Sequence, residues 1–118
     1  GYSSAASDVY KRQHFTGGYD HNYVLGRPGE KKIMANAYCR ESGIALEAET
    51  DCCGVQFYAG NFIGEQTGKG GASYHDRSAF CLESQFYPNA VNEPDFPSPV
   101  VKAGHTYHTE TSYRFYLR

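Results

Sequence analysis

The stretch KIMANAYCRESGIALEAET, residues 32–50, decides the fold class of this chain. Its first half alternates, and the residues on one side are Ile33, Ala35, Ala37 and Cys39. Its second half alternates again, and the residues on one side are Ile44, Leu46 and Ala48. Every second side chain of a β-strand shares a face, and the dipeptide Ser42-Gly43 between the halves suits a tight turn. The stretch therefore predicts an antiparallel β-hairpin.

The flanking sequence extends this strand pattern in both directions. Further short strands are predicted at residues 22–25, 55–59, 79–84 and 105–118. Helical periodicity is weak, because Gly or Pro interrupts most windows. Residues 60–78 are rich in glycine and residues 87–99 in proline, so both predict long loops. The predicted fold is all-β, with antiparallel meanders and long connections.

Composition limits the classes of function. The chain has 118 residues, enough for one small domain. A net charge of -2 and a pI of about 6.2 give no reason to predict a nucleic-acid or anionic-membrane partner. No apolar run approaches the roughly 20 residues that a membrane span requires. The composition therefore predicts a globular protein that binds neither nucleic acid nor a membrane.

Cysteine usage favours a reducing compartment. Two of the four cysteines, Cys52 and Cys53, are adjacent, and neighbours in sequence rarely form a disulfide because the ring is strained. The chain has no CxxC spacing, so neither a zinc ribbon nor a thioredoxin-like motif is predicted. Cys39 and Cys81 fall inside predicted strands, where buried free thiols are expected. A cytoplasmic protein is the resulting prediction.

The first residues are set apart from the rest. Residues 8–13, DVYKRQ, resemble an in-frame translation of a sequencing-library adapter, and the segment before them is low in complexity. A natural N-terminal tail is the alternative interpretation. Residues 1–13 are therefore predicted to be a non-native segment, and residues 14–118 the domain. A first residue of Gly in place of Met fits a truncated reading frame.

Two polar residues at strand positions are candidates for binding hydroxyl groups. Asp20 follows a glycine pair at the start of a predicted strand, where its carboxylate either accepts hydroxyl hydrogen bonds or forms an Asx turn. His21 points to the opposite face, so the two are not expected to form an acid–base couple. Gln56 carries both a donor and an acceptor within a strand that is otherwise typical of a core.

Glu83 is the candidate general base. It lies near the end of the short run of residues 79–84, directly after its apolar residues, and precedes a proline-bearing loop. A carboxylate at the end of a buried strand is desolvated, which raises its pKa toward neutrality and suits it to accept protons. The alternative is a structural carboxylate paired with Arg77 or Arg114.

Two other patterns are set aside. Residues 64–70 resemble a phosphate-binding loop, but they have one residue too few between the glycines and no helix after them. A flexible loop is predicted there instead. His105 and His108 lie in a predicted strand and would face opposite sides, so no metal site is predicted.

Taken together, three stretches resemble the aldose 1-epimerase (galactose mutarotase) family. They are GGYDHNYVL at residues 17–25, GVQFYAGNF at 54–62 and GKGGASYHDRSAFCLESQFYPNAVN at 68–92. They occur in the family's order and at similar separations, and the resemblance covers residues 14–118. It implies a large antiparallel β-sandwich of the galactose mutarotase-like type, of which this chain is the C-terminal part.

The resemblance also implies an isomerase activity. Family members interconvert the α and β anomers of monosaccharides such as galactose and glucose without any metal or cofactor. A carboxylate takes the proton of the C1 hydroxyl, and a histidine protonates the ring oxygen. By motif position Glu83 matches the base, and Asp20 and Gln56 match substrate-binding residues. The family's active-site histidines lie upstream and match no residue here, so the 118-residue chain alone is expected to be inactive. It is also expected to be poorly stable, because the absence of most partner strands leaves sheet edges and apolar faces exposed.

Some positions depart from the family pattern. Cys52-Cys53 stand where a Gln-Pro pair is usual, and Asn89 replaces a usual Asp. One alternative is a hexose-6-phosphate 1-epimerase, which needs a basic cluster where the loops show only scattered Lys69, Arg77 and Lys102. Another is a non-catalytic sugar-binding β-sandwich, against which the presence of Glu83 argues.

Overall fold

A computed structural model describes residues 18–118. The proposed non-native segment, residues 1–13, lies outside them. Within the described residues the chain forms strands and two short 3-10 turns, and no α-helix. The strands are β1 (Asp20–Val24), β2 (Lys32–Tyr38), β3 (Ile44–Thr50), β4 (Gly54–Tyr58), β5 (Gln66–Thr67), β6 (Ser73–Tyr74), β7 (Cys81–Gln85) and β8 (Thr111–Leu117). The all-β prediction is confirmed, and it agrees with an antiparallel β-sandwich.

The strands belong to three sheets. Their orders are β1-β4-β7, β2-β3-β8 and β5-β6. The described residues divide into two compact units, one of residues 18–21 and 56–82 and the other of residues 22–55 and 83–118. The division falls within β1, β4 and β7, so Asp20 and Gln56 belong to the first unit and Glu83 to the second.

The predicted hairpin is present as β2 and β3. The two strands pair antiparallel, with Ala37 opposite Leu46 and Tyr38 opposite Ala45. Two backbone hydrogen bonds close the turn, from the Cys39 N–H to the Ile44 carbonyl (3.0 Å) and from the Gly43 N–H to the Cys39 carbonyl (2.9 Å). Gly43 has a φ of 72°, which a residue without a Cβ adopts at low cost.

A β-bulge changes which residues of β2 are buried. The register shifts between Ile33 and Ala35. As a result Met34 is buried, whereas Ile33 is 52% exposed. Ile33 was predicted to share one face of the strand with Ala35 and Ala37. That prediction is wrong for Ile33, because the extra residue of the bulge inverts the alternation at this point.

Strand β8 completes this sheet on the other side of β3. Leu46 lies opposite Phe115, and Ile44 lies opposite Leu117. The strand begins at Thr111 and not at residue 105. His105 and His108 precede it in an irregular segment, so their predicted place in a strand is wrong. In the described residues no group of three or more His, Cys, Asp or Glu could hold a metal ion.

The core is small and centres on β3. Its buried apolar residues are Met34, Ala45, Leu46, Ala48, Cys52, Cys53, Val55 and Ala90. Cys39 lies after β2 in the turn, and both it and Cys81 are exposed, so their predicted burial is wrong. The adjacent pair Cys52 and Cys53 is buried instead, and both thiols are free.

The long connections are loops with little regular structure. The predicted loop 60–78 contains the small β5–β6 hairpin with the 3-10 turn Lys69–Gly71 between its strands. The loop 87–99 contains the 3-10 turn Ala90–Asn92. Among the described residues no helix is long and apolar enough to cross a membrane.

Candidate active site

The first unit brings together two of the predicted site residues. Asp20 opens β1 and Gln56 lies in the middle of β4, the neighbouring strand. The Gln56 Nε2 atom donates a hydrogen bond of 2.7 Å to the Asp20 Oδ1 atom. A carboxylate only accepts hydrogen bonds, so this contact fixes which end of the amide faces it. The two residues form one polar pair.

The other end of the Gln56 amide has no partner. Its Oε1 atom is buried and makes no hydrogen bond within residues 18–118. A buried acceptor left unpaired costs about 1–3 kcal/mol, so this oxygen would gain from a hydrogen bond to a ligand or a water. Asp20 is exposed. The pair can therefore accept hydrogen bonds from a polyhydroxylated ligand at both the carboxylate and the amide oxygen.

His21 is not coupled to the Asp20 carboxylate. Its Nδ1 atom accepts a hydrogen bond of 3.0 Å from the backbone N–H of Asp20. Its ring packs edge-on against Tyr19, with the ring centroids 6.2 Å apart. The alternation of strand residues predicts this separation.

An aromatic cluster supports the strands that carry the pair. Tyr19 and Phe57 have ring centroids 5.3 Å apart, and Phe57 and Phe80 have centroids 6.2 Å apart. Phe57 follows Gln56 directly, so the two side chains leave β4 on opposite sides. Of these three rings only Phe57 was predicted from the sequence to lie in the core; it is half-buried here, and Phe80 is 50% exposed.

A third polar residue of the first unit, Asn61, belongs to the site without having been predicted from the sequence. It is 6% exposed, and its Nδ2 atom donates a 2.9 Å hydrogen bond to the Tyr19 carbonyl. The Ala59 N–H donates to the same oxygen at 2.9 Å. The only signal in the sequence is an Asn within a glycine–aromatic context, Gly60-Asn61-Phe62, which is not specific.

Glu83 occupies an exposed position. It is the third residue of β7, and the strand continues for two residues beyond it. Leu82 and Ser84 face the half-buried side, and the Ser84 hydroxyl lies 2.8 Å from the Thr111 hydroxyl. The predicted desolvation of Glu83 is therefore wrong in this chain, because strand alternation turns it to the exposed side.

One of the suspected partners of Glu83 is engaged elsewhere. The Arg114 Nη2 atom bonds Glu47 Oε1 at 3.1 Å, directly across β3 and β8. The Arg114 guanidinium also lies over the Tyr116 ring, 4.7 Å from its centroid. Arg114 is thus part of the outer face of its own sheet.

The second unit contains a polar network at the end of β3. Asp51 Oδ1 accepts hydrogen bonds from the Thr109 hydroxyl (2.6 Å) and from the Glu110 N–H (3.0 Å). The Thr109 bond, and after it the Glu110 N–H, lower the pKa of the Asp51 carboxyl. Lys31 bonds Glu110 and lowers the pKa of that carboxyl in turn. The network ties the irregular segment before β8 to the hairpin.

A cleft beside this network is too small for a sugar. Its volume is about 40 Å³. Its lining residues are Pro28, Gly29, Asp51, Cys52, Phe86, Tyr107, His108 and Thr109. Pockets for small molecules usually measure about 300–1,000 Å³. The cleft is smaller than a pocket for a monosaccharide, and the Asp20–Gln56 pair remains the better candidate for a ligand.

Comparisons with known proteins give one consistent result. The family model described as "Aldose 1-epimerase" matches residues 3–114. The galactose mutarotase of Sus scrofa is 46% identical over 99 residues, which is 83% of this chain and 29% of that protein. The galactose mutarotase of Homo sapiens is 44% identical over 99 residues, again 83% of this chain and 29% of that protein. The aldose 1-epimerase of Escherichia coli (strain K12) is 35% identical over 101 residues, again 83% and 29%.

Proposed function

This chain belongs to the aldose 1-epimerase family, and we propose that it is the C-terminal part of an enzyme that interconverts the anomers of free aldoses. Galactose and glucose are the proposed substrates. The chain spans 29% of the length of the curated relatives it matches. We therefore use "the complete protein" for a protein of full family length that includes these residues.

The observation that carries the proposal is the Asp20–Gln56 pair. Gln56 donates to Asp20 at 2.7 Å and keeps a buried oxygen without a partner in the described part of the chain. A sugar offers several adjacent hydroxyls, each of which is a donor and an acceptor. One hydroxyl can donate to Gln56 Oε1 and another to the Asp20 carboxylate. The pair thus suits the holding of a monosaccharide.

Glu83 is the proposed general base. In this mechanism its carboxylate removes the proton of the C1 hydroxyl while an acid protonates the ring oxygen. The ring opens, the C1–C2 bond rotates, and closure on the other face gives the other anomer. Holding the sugar between base and acid supplies the orientation that makes both proton transfers effective. The acid is a histidine that the remainder of the complete protein provides, and no cofactor takes part.

A second candidate function follows from the exposure of Glu83. A carboxylate is a more effective base near neutral pH when it is desolvated, whereas the Glu83 side chain is exposed in this chain. A non-catalytic sugar-binding β-sandwich would retain Asp20 and Gln56 without needing that base. The presence of Glu83 within the family motif favours the epimerase over the non-catalytic sandwich.

The test is polarimetry of freshly dissolved α-D-galactose with the complete protein. We expect the protein to accelerate mutarotation of galactose and glucose, and to act poorly on glucose 6-phosphate. Preference for glucose 6-phosphate would favour the phosphosugar epimerase instead. Galactose binding without any acceleration would favour the non-catalytic sandwich.

The proposed location of the complete protein is the cytoplasm. The free thiols of Cys39, Cys52 and Cys53 support a reducing compartment, where disulfides are rare. Recovery of the protein from the secretory pathway after cell fractionation would contradict this location.

A further inference from the structure

Asn61 makes contacts that no motif of the sequence predicts. It is a buried polar residue, 6% exposed, three residues after the end of β4. Its Nδ2 atom and the Ala59 N–H both donate to the Tyr19 carbonyl, each at 2.9 Å. Two donors therefore converge on the peptide group that joins Tyr19 to Asp20. That peptide group cannot rotate without losing both hydrogen bonds.

The same amide packs against Gly18 on its other side. A Cβ atom built on Gly18 would lie 1.9 Å from the Asn61 Oδ1 atom and 2.7 Å from its Cγ atom. Carbon and oxygen atoms cannot approach so closely, so only glycine leaves room for the Asn61 amide. The Gly18 backbone and the Asn61 side chain thus form one close contact beside Asp20.

Asp20 is consequently held at two places. Asn61 fixes the backbone before it, and Gln56 holds its carboxylate at 2.7 Å. A ligand-binding carboxylate needs such support, because a displacement of about 0.5 Å already weakens contacts to a substrate.

We propose that Asn61 is a positioning residue for Asp20. Through its contacts with the Gly18-Tyr19-Asp20 backbone, Asn61 holds the Asp20 carboxylate where that carboxylate binds the sugar. The inference rests on the proposed function. Asn61 itself does not touch the sugar. It acts only through the carbonyl of Tyr19 and the contact with Gly18.

The test measures KM and kcat for galactose mutarotation in the complete protein. Asn61→Ala should raise KM about tenfold, as the loss of one hydrogen bond predicts. It should change kcat little, because a contact that binds ground and transition states equally acts on KM. In an Asp20→Ala background, Asn61→Ala should raise KM no further, since the residue through which it acts is gone. An unchanged KM in Asn61→Ala would overturn the proposal. So would a double variant in which the increases in KM from Asp20→Ala and Asn61→Ala multiply.

Gly18→Ala provides a second approach that keeps the Asn61 side chain. The added methyl group should displace the amide and raise KM in the same way. Combining Gly18→Ala with Asn61→Ala removes the atom that the methyl group strikes, so KM should not exceed that of Asn61→Ala alone. If the two effects multiply, the contact does not act as a unit and the proposal fails. Should Asn61→Ala not fold, Gly18→Ala alone still decides: an unchanged KM overturns the proposal.

The controls separate this inference from the proposed function. Wild-type protein that does not accelerate mutarotation overturns the proposed function and this inference with it. The same holds if Asp20→Ala leaves KM unchanged, because Asp20 then binds no sugar. If Asp20→Ala raises KM and Asn61→Ala does not, only the role of Asn61 is wrong.

Discussion

The Nε2 atom of Gln56 lies 2.7 Å from the Oδ1 atom of Asp20, and the Oε1 atom of the same amide is buried without a partner in the described residues. The two residues are 36 positions apart in the chain, and the segment between them includes the whole β2–β3 hairpin. The contact therefore depends on β1 and β4 lying side by side. It orients Gln56 so that an acceptor remains for a ligand hydroxyl.

The first prediction concerns Gln56. Gln56→Leu should weaken galactose binding by the complete protein about tenfold, because a hydroxyl loses its acceptor and Asp20 loses its donor. Isothermal titration calorimetry measures the Kd. The matched control is Gln66→Leu, since Gln66 is an exposed glutamine on β5 in the same unit. Equal Kd values for Gln56→Leu and wild type would show that the pair does not bind the sugar.

The second prediction concerns the hairpin core. Leu46, the third residue of β3, is 8% exposed and lies opposite Ala37 and Phe115. Leu46→Ala should lower the free energy of unfolding by about 2–4 kcal/mol, from lost burial and the cavity left behind. Leu117→Ala, at a leucine that is 81% exposed, should change it by less than about 0.5 kcal/mol. Urea denaturation of the complete protein compares the two, and similar losses would contradict the described packing.

The third prediction concerns pH and Asp51. Hydrogen bonds from Thr109 and Glu110 lower its pKa in the folded state. A lowered pKa contributes stability that is present above the unfolded pKa and lost as pH falls through the folded value. Asp51→Asn should therefore lower Tm at pH 7, and the difference from wild type should shrink as pH falls below about 4.

Thermal denaturation at several pH values checks this dependence. The control is Asp95→Asn, at an exposed aspartate in the loop after β7. A Tm difference for Asp51→Asn that stays constant with pH would show that the Asp51 network does not carry the effect.

The β2–β3 hairpin is the part of the fold that the sequence predicts best. Its alternation is regular, and Ser42-Gly43 marks the turn, so the bounds of β3 are those of the pattern. The bulge beside Ile33 was not predicted, because Lys32, Ile33 and Met34 fit the pairing register either with or without it. Only pairing with β3 decides between them.

The start of β8 and the burial of Glu83 were predicted incorrectly for related reasons. The segment before Thr111 has suitable strand formers, but its Thr109 and Glu110 bond to Asp51 in place of a neighbouring strand. Glu83 ends an apolar run by composition, yet alternation along β7 places it on the exposed side. Composition alone does not reveal the face of a short strand.

The candidate site was predicted in part. Asp20 and Gln56 were identified separately, and the resemblance to the family placed them in one site. Nothing in the sequence indicated Asn61, because its role depends on the Tyr19 carbonyl, 42 residues away. Contacts of this range depend on the folded arrangement of the strands.

The most direct test of the account is the rate of galactose mutarotation by the complete protein with Glu83→Gln. Loss of a general base should reduce kcat by about 10²–10⁴-fold. Glu65→Gln, at an exposed glutamate in the loop before β5, should leave kcat unchanged. A folded Glu83→Gln protein that retains the wild-type kcat would contradict the assignment of Glu83 as the base of an aldose 1-epimerase.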